Sequence, residues 1–64
     1  MIKLKEIRKE KKLTMKQIAM DVGISESLYC LIEHGNRKPR VETAKKIADV
    51  LGFDWTKFFD DVAG

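Results

Sequence analysis

Three glycines punctuate this chain and constrain its fold more than any other feature. Gly23, Gly35 and Gly52 each follow a stretch whose apolar residues recur at helical spacing, the place where a left-handed residue ends a helix. Between these marks, Leu4 and Ile7 predict a first helix near residues 2–12. Ile18, Ala19 and Val22 predict a second near 15–22, and Tyr29 and Ile32 a third near 26–34. Val41, Ala44, Ile47, Ala48 and Leu51 form the stripe of a fourth near 41–51, and Trp55, Phe58 and Phe59 mark a last short helix near 55–60. No stretch alternates as a strand would, and no segment repeats. The expectation is an all-α fold of five helices in a single domain over residues 1–64, a length that allows one modest core.

Local chemistry supports the helix starts. Thr14 is placed to accept from the backbone N–H of Gln17, whose side chain can reach back to the Thr14 N–H, a capping box. Leu13 and Ile18 flank it as a hydrophobic staple. Ser25 caps the third helix with Ile24 and Tyr29 as its staple, and Asp54 caps the fifth between Phe53 and Phe58. Each cap contributes about 1 kcal/mol. The fourth helix is the exception, because Arg40 stands where Ser or Asp is preferred. Pro39, in the polar stretch from Asn36, marks the one longer loop.

The net charge of +3 is unevenly spread. Residues 1–20 hold seven Lys or Arg against two Glu, and residues 34–48 hold five against one. Residues 21–33 carry only Asp21, Glu26 and Glu33, while 49–64 set four Asp against Lys57. Two basic blocks and an acidic end suit a protein with one face turned to a polyanion. Other classes fare worse. One His, one Cys and no glycine-rich phosphate loop argue against an enzyme, and one His with one Cys cannot close a zinc shell. No cofactor, metal or small-molecule ligand is expected. Cys30 has no partner for an intramolecular disulfide, and the longest apolar run, Leu28 to Ile32, is too short for a bilayer. The expected location is cytoplasmic.

The segment Met15 to Ile32 is the most informative. Two helices meeting steeply through a short turn bring their backbones together. That geometry requires a small side chain at Ala19 and tolerance of positive φ at Gly23. Ile18, Val22, Ile24, Tyr29 and Ile32 then form the inner seam. The outer face of the third helix is left to Ser25, Glu26, Ser27 and Cys30, and an exposed helix of this width fits the major groove of B-DNA.

These residues bring the chain to a known family. Leu13-Thr14, Ile18-Ala19, Val22-Gly23-Ile24-Ser25, Ile32-Glu33-His34-Gly35, Pro39, Lys46-Ile47-Ala48 and Leu51-Gly52-Phe53 occur in an order that resembles the phage repressor and Cro-like (XRE-type) helix-turn-helix family. The ending Asp54-Trp55-Thr56-Lys57-Phe58-Phe59 is similar to prophage-type members from Gram-positive bacteria. The resemblance implies a compact lambda-repressor-like domain, with the helix-turn-helix at about residues 15–34, that binds double-stranded operator DNA and regulates transcription, as a repressor of phage or mobile-element type.

Position by position, it implies base reading by Ser25, Glu26, Ser27 and Leu31. A leucine offers only apolar contact, for example to a thymine methyl, and the alternative for Leu31 is a partly buried packing residue. Contacts to the DNA backbone fall to Thr14, Met15, Lys16, His34, Asn36, Arg37, Lys38 and Arg40. Two departures stand out: Met15 replaces the family's phosphate-binding Gln, and His34 replaces a common Asn. Arg8 and Glu33 are the family's structural ion pair. A homodimer on a palindrome follows from the few base contacts one module makes. Trp55, Phe58, Phe59 and Val62 are candidates for its interface, the alternative being that the three aromatics close the core. The rival function is a protein-interaction module, an antirepressor or toxin–antitoxin adaptor, favoured by Glu26, Leu28 and Leu31 on the third helix.

Overall fold

In the computed structural model, which describes residues 3–63 and the side chains of 3–59, the periodic stretches become helices. The four α-helices among the described residues are α1 (Leu4–Glu10), α2 (Met15–Val22), α3 (Glu26–Glu33) and α4 (Val41–Leu51). The second and fourth have the expected bounds. The fifth element corrects the expectation, being a 3-10 helix over Trp55–Ala63 rather than an α-helix. Its tighter winding eclipses residues three apart, which places Trp55 and Phe58 in one row.

The starts of α2 and α3 are set by side chains. Gln17 N–H donates to Thr14 Oγ1 at 3.0 Å and Thr14 N–H to Gln17 Oε1 at 2.8 Å, so the capping box is complete. Leu28 N–H donates to Ser25 Oγ at 3.0 Å. Arg40 contributes no side-chain cap to α4. Asp54 Oδ1 accepts from Thr56 N–H at 3.0 Å, and this bond holds the exposed carboxyl below the usual carboxylate range.

The ends use left-handed residues. Gly23 closes α2 at φ 85°, and a Cβ added there would meet nothing within 4 Å, so conformation rather than space demands glycine. The apolar spacing predicts that α1 ends near residue 12. The helix stops at Glu10, and Lys12 itself takes φ 58°. That turn carries Leu13 back under α1, where its carbonyl accepts from Arg8 at 2.9 Å.

α2 packs on both α3 and α4, and the 3-10 helix packs on α4. Tyr29, Ile18, Ile47 and Leu51 are the largest fully buried side chains, with Leu4 joining them from α1. Small Ala19 and Ala44 sit buried where the helices meet. The aromatic tail closes this core. Phe58 is buried, its ring 5.4 Å from that of Phe53 and 6.5 Å from that of Phe59. Trp55 meets Phe59 edge-on at 6.0 Å and lies 5.2 Å beneath Lys45 Nζ.

Candidate nucleic-acid interface

The interface is built on α3, whose two faces are chemically different. Its inward face holds Tyr29 and Ile32, both buried. Its outward face presents Glu26, Ser27 and Leu31 exposed, with Cys30 half-buried between them. These four residues recur at one and four positions, the pattern of a single helical stripe. Ser25 precedes the stripe, exposed but with its oxygen already accepting in the cap, which leaves its O–H free to donate.

What holds α3 in place is a partly buried polar cluster. Arg8 Nε donates to Glu33 Oε1 at 2.7 Å, and its second nitrogen to Glu33 Oε2 at 3.2 Å, a two-pronged pair. The side chains are 12% and 2% exposed. Tyr29 O–H donates to Glu33 Oε1 at 3.1 Å. Burial works against ionisation of Glu33, but the Arg8 bonds and charge outweigh it and hold the carboxyl below its ordinary value. Burial, helped by the Glu33 charge, pushes the Tyr29 hydroxyl up, so it stays a donor. The Glu33 bond raises Arg8 in turn. Apolar periodicity alone places Tyr29 in the inner seam and gives no sign of this polar role. The signal available was a tyrosine four residues before a glutamate on one helix face.

Two depressions flank the stripe. One is lined by Met15 from α2 with Glu26, Ser27, Cys30 and Leu31 from α3. It contains no cation. The other lies between α3, the following loop and α4, and its lining includes Arg37, Lys38 and Arg40 with Leu28, Ile32 and Thr43. Pro39 is buried and anchors that loop, while the three cations beside it are exposed. Backbone bonds from Gly35 N–H to Ile32 O and from Asn36 N–H to Leu31 O tie the loop's start to α3.

The remaining expected backbone contacts spread over two places. Thr14 and Lys16 are exposed at the start of α2, whereas Met15 is half-buried and packed against the core. His34 and Asn36 are exposed just beyond α3. His34 Nδ1 lies 2.7 Å from the Cys30 carbonyl oxygen. A carbonyl only accepts, so that nitrogen carries the ring proton, and Nε2 can donate to a phosphate only in the doubly protonated ring. Leu31, 41% exposed, belongs to the surface rather than to the packing. Of the suggested partner-contact residues, Phe58 is used in the core, Trp55 and Phe59 are half-buried at its edge, and Val62 lies outside the described side chains. Among the described residues no group of His, Cys, Asp and Glu could hold a metal ion, and no helix is long and apolar enough to cross a membrane.

Comparison with known proteins agrees with this architecture. The chain is 49% identical over 59 residues to the uncharacterised helix-turn-helix-type transcriptional regulator YqaF of Bacillus subtilis, covering 92% of this chain and 78% of that protein. It is 27% identical over 59 residues to RstR, the transcriptional repressor of the cryptic phage CTXphi in Vibrio cholerae, covering 92% of this chain and 53% of RstR. A third relative, the B. subtilis regulator RghRB, is 45% identical over 49 residues, 75% of this chain and 35% of that protein. The chain thus spans most of the first relative but only about half or less of the other two. No solved structure matches it. The profile of the helix-turn-helix domain matches residues 2–63, and the chain therefore belongs to the XRE-type helix-turn-helix family.

Proposed function

We propose that this chain is a sequence-specific DNA-binding transcriptional regulator that represses by occupying a palindromic operator. The observation that carries the reading is the exposed stripe of α3, bounded by a loop that places Arg37, Lys38 and Arg40 on one side. Glu26, Ser27 and Leu31 read base edges, while Thr14, Lys16, His34, Asn36, Arg37, Lys38 and Arg40 contact the sugar–phosphate backbone. The relatives support this reading, since one is a phage repressor by name and others are named as transcriptional regulators.

Residues 1–64 act as a single DNA-binding domain with no catalytic role, working in the cytoplasm as a homodimer. Half-exposed Trp55 and Phe59 supply the dimer surface. Two copies on half-sites about one helical turn apart double the few base contacts of one module. Repression follows by blocking access of polymerase to overlapping promoter DNA.

Selection from a random duplex library at two salt concentrations tests the proposal, with sedimentation reporting stoichiometry. Enrichment of an inverted repeat bound by two chains, weakening steeply with salt, is the expected result. A folded chain that enriches no sequence would replace the proposal with the protein-interaction reading, for which exposed Met20 and Leu31 are the surface to probe.

A further inference from the structure

We propose that the depression between α2 and α3 is a reader of the thymine 5-methyl group, with Met15 as a specificity residue. The inference rests on the DNA-binding reading above and adds the chemistry of one position in the operator.

The two hollows beside α3 cannot take the same ligand. The one next to the loop carries Arg37, Lys38 and Arg40 and suits phosphate. The one next to α2 is lined by Met15, Cys30 and Leu31, with Ser27 and the carboxylate of Glu26 completing it. A phosphate seated in the hollow itself would meet the Glu26 side chain and no cation among the lining residues, which favours a base edge over the DNA backbone as its occupant. In the major groove the one apolar group that base pairs present is the thymine methyl. The part of the hollow walled by Met15, Cys30 and Leu31 gains apolar contact from that methyl, while Glu26 and Ser27 at its side remain available to the polar groups of a neighbouring base.

The structure also explains why Met15 belongs to this reader. It stands at the first position of α2, beside the exposed Thr14 and Lys16, yet is half-buried and lines the hollow with the α3 stripe. Met15 and Leu31 line the hollow from different helices, so it exists only when the two helices are packed. An unbranched thioether is well suited to close such an irregular gap.

The test uses the duplex recovered from library selection, with each thymine replaced in turn by deoxyuridine, which removes the methyl and nothing else. At one thymine in each half-site the substitution should weaken binding about fourfold, the value of burying one methyl-sized group. In the Met15→Gln and Leu31→Ala variants the same replacement should change affinity less than about 1.5-fold. Leu31 is exposed, so its variant keeps the fold even if Met15→Gln does not. Tight binding that tolerates deoxyuridine at every position would overturn the inference, as would an undiminished penalty in both variants. A chain that binds no duplex at all overturns the DNA-binding reading itself, an outcome separate from either of these.

Discussion

The two faces of α3 differ in what their polar atoms have for company. On the inner face, Tyr29, Glu33 and Arg8 satisfy one another within a partly buried cluster. On the outer face, the carboxylate of Glu26 and the hydroxyl of Ser27 are exposed to solvent. One helix therefore has a side that fixes its position and a side kept available to a ligand. Stability and recognition can be altered separately because eight residues distribute the two tasks over opposite directions.

The largest effect should come from the inner face. Replacing Arg8 with Ala leaves a carboxylate only 2% exposed without its counter-charge, and unfolding in denaturant should show a loss of about 3–5 kcal/mol. If the variant instead loses under about 1 kcal/mol, the inner face is not the support described here. The same cluster sets the acid response. Because the folded-state pKa of Glu33 lies below its unfolded value, the stability it contributes is fully present above the unfolded value and disappears as pH falls through the folded one. Stability should thus decline below the ordinary glutamate range. Glu33→Gln should flatten that decline, leaving the part due to Asp54, which is shifted in the same direction.

Tyr29→Phe is a finer probe. It keeps the buried ring and removes one donor to a charged acceptor, so a loss of about 1.5–3 kcal/mol is expected. A variant as stable as the parent would mean that Arg8 alone suffices for Glu33.

On the outer face the readout changes from stability to sequence preference. Substituting Ser27, exposed and outside any cap, should shift which base pair is preferred by about 1–3 kcal/mol while the melting curve stays within about 0.5 kcal/mol of the parent. An unchanged preference across a duplex library would show that the stripe is not read. The smallest effect belongs to the loop. Lys38→Ala or Arg40→Ala should weaken binding to all sequences alike and reduce the slope of log affinity against log salt by about one. Parallel slopes for variant and parent would remove that residue from the phosphate contacts.

Much of this molecule follows from spacing along the chain. The bounds of α2 and α4, the Thr14–Gln17 capping box, the Ser25 cap and the uncapped Arg40 are all local features. They depend on groups three or four residues apart, which the chain order itself brings together. The glycine at position 23 is legible for the same reason, since only its own backbone angle is in question.

Tertiary structure decided the rest, because it depends on groups that are distant in sequence or on competition between packings. The fifth element is a 3-10 helix packed on α4, with Phe58 buried in the core, which the spacing of its aromatics alone did not distinguish from an α-helix. Lys12 took a left-handed angle with no sequence sign of it, as the chain turned to bring Leu13 under Arg8. Tyr29 acquired a polar role through a cluster that joins α1 to α3 across 25 residues. The separation of a cation-free hollow from a cation-lined one is likewise a product of packing. Composition and spacing determined an all-helical, basic chain with a helix-turn-helix. Which charges are neutralised inside and which side chains share a surface is set by three-dimensional proximity, on which linear order has little hold.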